Sequence, residues 1–219
     1  MKRVVIIDYN LGNLYSVHHA CKHIGLDIEI SSDPKKVLSA NALILPGVGA
    51  FAEGMKNMEK LGLDEAVLES VEKEKPLFGV CLGLQMLFSK SDEFDQCKGL
   101  GIIKGSVSRL SPAKNNDKKV KIPHIGWNKI YAFDNESNLW ANSPLEPCAQ
   151  GEFQYFVHSF VGNPIDKKNI LSITNYGEQE FCSAIQKGNH VVATQFHPEK
   201  SGKMGLKIYS KWAKINKLL

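Results

Sequence analysis

Three short apolar runs recur within the first 81 residues, and each leads into a segment with helical spacing of its apolar residues. The runs are "RVVIID" at 3–8, "ALILPG" at 42–47 and "PLFGVC" at 76–81, with a shorter run, "IEI", after the first. Apolar, β-branched strands that alternate with helices predict a parallel sheet covered by helices on both faces. In such sheets, ligands bind beyond the carboxyl ends of the strands. We therefore expect a functional site to follow one of these runs.

Helices are predicted where apolar residues recur at three- or four-residue intervals. The predicted helices are one built on Leu14, Val17, Cys21 and Ile24, one through Met55 and Met58, one at 63–71, "LGLQMLF" at 82–88, and an amphipathic one from about Lys203.

The pattern changes after residue 101, where strand candidates follow one another without helices between them. The candidates are 104–108, 129–132, 153–160, 170–174, 181–186 and 190–196. Successive short strands separated by turn residues predict mixed or antiparallel sheet. Since no linker rich in Gly, Ser or Pro separates the two halves, we expect residues 1–219 to form a single domain.

Composition narrows the class of protein and the compartment. The 219 residues carry a formal net charge of +4, which is too small to indicate nucleic-acid binding. No apolar run approaches the ~18 residues of a membrane span, and "MKRVVIIDY" meets an acidic residue too early for a signal peptide. Five scattered cysteines without a CxxC pair argue against a disulfide framework and a structural zinc site. We expect a cytoplasmic protein that binds no metal, nucleic acid or membrane.

Cys81 lies between Gly79 and Gly83, where a predicted strand gives way to a predicted helix. The pattern Gly-x-nucleophile-x-Gly is typical of a sharp strand-to-helix turn that exposes a reactive side chain. The positive end of the helix dipole favours a thiolate there, and the backbone N–H of Leu82 would be free to bind an oxyanion. A packed core cysteine is the alternative interpretation of this pentapeptide.

A nucleophilic cysteine needs a base, and His197 follows the last predicted strand in "TQFHPEKSG". Pro198 favours an extended backbone at His197. In an extended stretch His197 and Glu199 point to the same side, so the carboxylate would orient the imidazole. The alternative interpretation is a surface histidine and a surface glutamate. It is less attractive because the Cys81 motif and the His197 motif both lie at strand ends.

The glycine-rich turn at 46–49 directly follows another apolar run. Such a turn exposes backbone N–H groups and allows a ligand to approach closely. The full phosphate-binding pattern with its lysine is missing, so an oxyanion hole for the cysteine nucleophile is the more coherent interpretation.

Together, "LPGVGAF", "GVCLGLQML" and "QFHPEKS" resemble the marks of class I (triad) glutamine amidotransferases. "DYNLGNLYSV", "PHIGWN" at 123–128 and "YFVHSF" at 155–160 narrow the resemblance to glutaminase subunits of imidazole glycerol phosphate synthases, from histidine biosynthesis. The resemblance spans nearly the whole chain. It implies an α/β, flavodoxin-like doubly wound mixed sheet with an added antiparallel portion, and it implies no cofactor.

The resemblance also implies roles for individual residues. Cys81, His197 and Glu199 would form a triad that hydrolyses L-glutamine to glutamate and ammonia. The implied oxyanion and substrate-binding residues are Gly47, Val48, Gly49, Leu82, Gln85, Ser159 and Phe160.

In this family the ammonia passes to a partner, so the resemblance implies a heterodimer with a (β/α)8-barrel cyclase. That cyclase makes imidazole glycerol phosphate and AICAR. The residues that match positions lining the subunit interface or signalling across it are Asn13, His124, Ile125, Trp127, Tyr155 and Lys200. From the residues alone, Trp127 would be a core residue and Lys200 a solvated charge.

Other functions stay open at this point. The stretch 175–209 looks closer to paralogues that supply ammonia for the amination of a nucleotide-linked sugar in surface-polysaccharide biosynthesis. A free-standing cysteine hydrolase would share the triad but would not need "PHIGWN", Asn13 or Lys200. A non-catalytic binding subunit is a third class, against which intact Cys81, His197 and Glu199 count.

Overall fold

The structure is a computed structural model that describes residues 2–93, 96–111, 114–115, 118–133 and 138–219. The α-helices of this part of the chain are α1 (Leu14–His23), α2 (Pro34–Ser39), α3 (Phe51–Leu61), α4 (Leu63–Glu72), α5 (Leu82–Met86) and α6 (Gly202–Ile215). Two 3₁₀ helices accompany them, at Lys167–Asn169 and Pro198–Lys200.

Within the described residues, the strands form one large sheet and two smaller ones. They are β1 (Arg3–Ile7), β2 (Asp27–Ser31), β3 (Ala42–Leu45), β4 (Leu77–Val80), β5 (Phe88–Ser91), β6 (Cys97–Lys98), β7 (Ile103–Arg109), β8 (Lys114–Asn115), β9 (Lys118–Lys119), β10 (His124–Ala132), β11 (Glu152–His158), β12 (Phe160–Pro164), β13 (Ile170–Tyr176), β14 (Gln179–Lys187) and β15 (Val191–Thr194).

The large sheet has nine strands in the order β11-β10-β13-β14-β15-β4-β3-β1-β2. From β2 to β15 the neighbouring strands are parallel, and from β15 to β11 they are antiparallel. A second sheet, β12-β7-β5-β6, and the β8-β9 pair lie outside it. The predicted mixed sheet with an added antiparallel portion is therefore confirmed, and the last strand of the second half joins the parallel part.

Both faces of the sheet are buried, as the apolar runs predict. In β1, Val4 and Ile6 belong to one hydrophobic cluster, whereas Val5 and Ile7 belong to the other. Helices α1 and α6 cover the first cluster, and α2, α3 and α4 cover the second. The carboxyl ends of β1, β3, β4 and β15 consequently meet at one edge, where a site can form.

Several elements differ from the sequence-based expectation, among them the short strands β5, β6, β8 and β9, which were not predicted. The helix after Cys81 ends at Met86, because Phe88 pairs with Ile103 in the second sheet. The strand predicted at 153–160 is two strands, since the chain leaves the large sheet at Ser159 and enters the smaller one. Helix α2 was not predicted, although Asp33 caps it and Pro34 begins it.

The last helix has the predicted amphipathic character. Ile208 and Trp212 are buried, and the Trp212 ring packs edge-on against Phe78 at 5.5 Å. Lys203 and Lys207 face solvent on the other side. In the described ranges no helix combines the length and the hydropathy needed to cross a membrane.

Candidate active site

Cys81 occupies the turn between β4 and α5, at the carboxyl edge of the sheet. Its backbone has φ 55° and ψ −106°, a conformation that costs energy for a residue with a side chain. The Cys81 N–H donates to the Thr194 carbonyl at 2.7 Å, which ties the turn to β15. This is the strained strand-to-helix turn that the sequence predicts, and it holds the sulfur at a pocket wall.

The two flanking glycines are required by close packing. A Cβ atom on Gly79 would lie 2.8 Å from the Ala193 Cβ, and one on Gly83 would lie 1.8 Å from the Leu45 carbonyl oxygen. No real Cβ tolerates these distances, so the Gly-x-Cys-x-Gly spacing follows from how tightly the turn packs against β15 and β3.

His197 and Glu199 are in direct contact. The His197 Nδ1 atom lies 2.7 Å from Glu199 Oε1, and both side chains are almost fully buried. The backbone is extended at His197, as predicted, but not beyond it, because a 3₁₀ turn begins at Pro198. Ser201 Oγ stabilises this turn by donating to the His197 carbonyl at 2.7 Å. The contact between His197 and Glu199 therefore forms across a 3₁₀ turn and not along an extended segment.

Tyr209 is a residue that sequence reasoning missed. Its hydroxyl donates to the second oxygen of Glu199 at 3.5 Å. Burial, followed by the nearby negative charges, raises the pKa of Tyr209, so the hydroxyl keeps its proton. Each carboxylate oxygen of Glu199 thus has a partner, which fixes its orientation toward His197.

The electrostatics around His197 favour an imidazolium. Burial by itself lowers the pKa of His197, but the neighbouring Cys81 sulfur and the Glu199 carboxylate outweigh burial and raise it. The His197 Nε2 atom makes no hydrogen bond to any of the described residues, so it remains available to the thiol. The arrangement can hold a thiolate–imidazolium pair.

An open pocket of about 240 Å³ lies in front of Cys81. Of the predicted oxyanion and substrate residues it brings together Val48, Gly49, Leu82, Gln85, Ser159 and Phe160. Gly47 sits just behind the wall, where a Cβ would lie 2.0 Å from the Tyr9 hydroxyl. Val157, His158 and Glu93 line the pocket as well, and the sequence did not predict them.

Glu93 is a buried carboxylate in this pocket, with 8% of its surface exposed. Its Oε2 accepts the backbone N–H of Phe51 at 2.7 Å, at the start of α3. The helix N-terminus therefore compensates part of the cost of burying the charge. A buried carboxylate at a pocket wall is suited to bind a cationic group of a ligand.

One of the expected oxyanion donors is already occupied in this conformation. The Leu82 N–H donates to the Gly47 carbonyl at 3.4 Å, which corrects the expectation that this N–H is available. The Tyr9 hydroxyl holds the preceding carbonyl, that of Pro46, at 2.7 Å. A carbonyl oxygen, rather than a row of N–H groups, thus faces Leu82.

Two hydrogen-bonded imidazoles lead inward from the pocket wall, beginning at His158. His158 Nδ1 lies 3.0 Å from the Phe160 carbonyl, which can only accept, so this nitrogen carries the proton. His158 Nε2 must then accept from His124 Nδ1, which lies 3.0 Å away. Asn128 Nδ2 lies 3.3 Å from His124 Nε2 and completes the series.

His124, one of the positions expected to line the subunit interface or signal across it, is buried. It is only 3% exposed and stacks on Tyr176 and Phe156. It therefore lies beneath the surface and cannot form a direct surface contact, although it links β10 to the pocket wall.

The class-I glutamine amidotransferase family model matches residues 5–213. The chain belongs to this family. The imidazole glycerol phosphate synthase subunit HisH of Aquifex aeolicus (strain VF5) is 47% identical, covering 94% of this chain and 93% of that protein. The protein of the same name from Prochlorococcus marinus (strain NATL2A) is 43% identical, covering 97% and 96%.

Solved structures confirm the predicted fold of this amidotransferase. The structure of PurLQS from Thermotoga maritima matches with a TM-score of 0.71 at 18% identity, covering 98% of this chain and 99% of that chain. A crystal structure of a glutamine amidotransferase matches with the same TM-score and identity, covering 97% and 98%. These structures establish the shared fold only.

The amidotransferase carries an apolar, exposed surface beside its pocket. Ile125 and Trp127 on β10 are 60% and 55% exposed, so Trp127 is not a core residue. The Trp127 ring meets Tyr155 edge-on at 6.1 Å, and the Lys200 Nζ lies 5.7 Å from the Tyr155 ring centre. Asn13 caps α1 through its side chain. Four of the six predicted interface residues thus lie together on one surface.

Proposed function

We propose that Cys81, His197 and Glu199 are the catalytic triad of this glutaminase, with Cys81 as the nucleophile. The observation that carries the proposal is the buried 2.7 Å contact between His197 and Glu199 beside a strained cysteine.

The predicted function of the protein as a whole is confirmed. The chain is a glutamine-hydrolysing subunit of imidazole glycerol phosphate synthase in histidine biosynthesis, as relatives 40–47% identical indicate.

In the first step, the Cys81 sulfur attacks the side-chain amide carbon of glutamine, and His197 holds the proton that the thiol has lost. His197 then gives this proton to the amide nitrogen as the C–N bond breaks, which releases ammonia and leaves a glutamyl thioester. Water, deprotonated by His197, attacks the thioester. The C–S bond breaks, glutamate leaves and the thiol is restored.

The negative oxygen of each tetrahedral intermediate needs N–H donors. Val48, Gly49 and Leu82 are the proposed donors. Because the Gly47 carbonyl now accepts the Leu82 N–H, the peptide between Gly47 and Val48 must rotate before these donors converge. Glycine permits such a rotation at small steric cost.

Glutamine would be held by the pocket walls around Cys81. Glu93 supplies a negative charge for the substrate ammonium group, and Ser159 and Phe160 supply backbone groups. Gln85 donates through Nε2 to the Phe160 carbonyl at 2.9 Å, so its oxygen is the atom left for substrate. These contacts would select a free L-amino acid rather than a simple amide.

The partner that receives the ammonia is proposed to be a (β/α)8-barrel cyclase in a heterodimer. The surface formed by Ile125, Trp127, Tyr155 and Lys200 supports this, because exposed aromatic residues are characteristic of interface cores. A free-standing hydrolase would not need this surface. A sugar-aminating partner would receive ammonia released by the same triad.

We also propose a cytoplasmic location, supported by five free cysteines.

The experiment is to measure glutamine hydrolysis by Cys81→Ala, His197→Ala and Glu199→Ala in the complex. Cys81→Ala should abolish it while the partner still works with added ammonium salts, and His197→Ala should cost nearly as much. Glu199→Ala should cost less, because the orienting carboxylate usually contributes less than nucleophile or base. Measurable hydrolysis by pure Cys81→Ala would refute the triad. If folded Glu199→Ala were as inactive as Cys81→Ala, the role of Glu199 would be larger than orienting His197.

A further inference from the structure

We propose that Gln195 is a further catalytic residue, whose side-chain amide donates an N–H to the Cys81 sulfur and stabilises the thiolate. The Gln195 Nε2 atom lies 3.6 Å from Cys81 Sγ, within range of an N–H···S hydrogen bond. The inference rests on the proposed role of Cys81 as the nucleophile. It adds a donor that acts on the reacting atom before glutamine is attacked.

The direction of the Gln195 amide follows from its neighbours. The Phe160 carbonyl can only accept, so the group that Gln85 presents to it at 2.9 Å is the NH₂ group. The same NH₂ group lies 3.2 Å from Gln195, which must therefore present its oxygen. The NH₂ group of Gln195 is then the end that faces the sulfur.

Gln195 is held in this position by its backbone and by burial. Its N–H donates to the Ser183 carbonyl at 2.8 Å, and its side chain has no exposed surface. A hydrogen bond to an ionised group is stronger in such a water-excluded environment than in solvent. The amide therefore has little freedom to turn away from the sulfur.

The sulfur has a different partner for each protonation state. The Val157 carbonyl lies 3.8 Å from Sγ and can accept only from the protonated thiol. The Gln195 NH₂ group can donate to the thiolate, as can the His197 imidazolium. Removing the Gln195 donor should consequently shift the balance toward the thiol that donates to Val157.

The test measures how fast iodoacetamide alkylates Cys81 in the full chain as a function of pH. Mass spectrometry of the Cys81 peptide separates it from the other four cysteines. Gln195→Met should move the midpoint of this profile to higher pH and slow alkylation at neutral pH about ten- to a hundredfold, the usual range for a hydrogen bond to a charged group. Gln154→Met is the matched control, since Gln154 is also a fully buried glutamine and does not contact the sulfur. It should leave the midpoint unchanged.

Gln195→Glu covers the case in which Gln195→Met does not fold. It keeps the shape and the acceptor for Gln85 but has no N–H for a thiolate, so it too should raise the midpoint. A wild-type midpoint in a folded Gln195 variant would overturn the proposal. Alkylation does not require glutamine turnover, so this outcome is distinct from failure of the triad, which glutaminase activity in Cys81→Ala would reveal.

Discussion

The Leu82 N–H donates to the Gly47 carbonyl across 3.4 Å, directly beside the nucleophile. At this length the hydrogen bond is weak, so breaking it costs little free energy. While it persists, it occupies a donor that the oxyanion needs and places a carbonyl oxygen beside the position of developing negative charge. The Tyr9 hydroxyl fixes the Pro46 carbonyl, which confines rotation to the next peptide.

The first prediction is that the isolated chain hydrolyses glutamine slowly and that the partner, carrying its ligand, accelerates it by about 10³-fold. One to two oxyanion donors brought into place account for this factor, since each is worth about 10²–10³ in kcat. Steady-state glutaminase rates of the chain alone, with the empty partner and with the loaded partner provide the measurement. Full turnover by the free chain, unchanged by the loaded partner, would contradict the prediction and favour a free-standing hydrolase.

The second prediction concerns Glu93 as the site for the substrate ammonium group. Glu93→Gln keeps an oxygen for the Phe51 N–H but removes the charge, so KM for L-glutamine should rise about ten- to a hundredfold. Glutaramate, which has the same amide but no amino group, is the matched substrate. The wild type should prefer glutamine strongly over glutaramate, and Glu93→Gln should lose most of that preference. An unchanged ratio of kcat/KM for the two substrates would show that the ammonium group binds elsewhere.

The sequence predicts the parts of the site whose signal is local. Gly79 and Gly83 mark the strained turn at Cys81 because the steric demands arise within one pentapeptide and the strands it touches. Pro198 marks the end of the last strand beside His197. In the same way, apolar runs on both faces predict the parallel half of the sheet.

Residues that act through distant contacts could not be predicted. Glu93 becomes a pocket residue because β5 places it against Phe51, 42 positions away. Gln195, which was not predicted, contacts the predicted site residue Gln85 from 110 positions away. The break at Ser159 gives no sequence signal either, because the apolar pattern continues while the chain changes sheets. Only the packing of the second sheet against the first determines these positions.

The third prediction is a loss of stability in mild acid that arises from His124 and His158. Burial lowers the pKa of both, to about 4 for His124 and, with the additional effect of His124, to about 3 for His158. Unfolded histidines titrate near 6.5, so the unfolded state binds more protons as the pH falls below 6.5. The free energy of unfolding should drop by roughly 1.5 kcal/mol per histidine between pH 6.5 and 5. His197 adds nothing to this slope, because its raised pKa keeps its contribution complete below pH 6.5.

Urea unfolding at pH 6.5 and pH 5 measures this difference. His124→Gln/His158→Gln should flatten the slope, and either single variant should remove part of it if the pair does not fold. His23→Gln is the control, because His23 is exposed and its loss should leave the slope intact. Equal slopes in the wild type and a folded His158→Gln variant would exclude His158 as a source of the acid sensitivity.

Lys200 directly follows Glu199 of the proposed triad and lies over the Tyr155 ring. The Tyr155 backbone is tied to the same segment, because its carbonyl accepts the His197 N–H at 2.9 Å and its N–H donates to Ser201 Oγ at 3.0 Å. A partner residue that contacts Lys200 would therefore act on a segment that also positions the catalytic base. An exposed lysine is worth little in solvent but more at an interface from which water is excluded.

The last prediction is that Lys200→Ala leaves the fold intact, weakens partner binding and lowers the stimulation of glutaminase by the loaded partner. Losing one side of a buried interface pair typically costs about 2–5 kcal/mol, so calorimetry should detect the lower affinity. Stimulated glutaminase rates at saturating partner then separate coupling from binding. Lys214→Ala is the matched control, because Lys214 is an exposed lysine near the end of α6. Wild-type affinity and stimulation in Lys200→Ala would mean that Lys200 is a solvated charge and that the partner binds elsewhere.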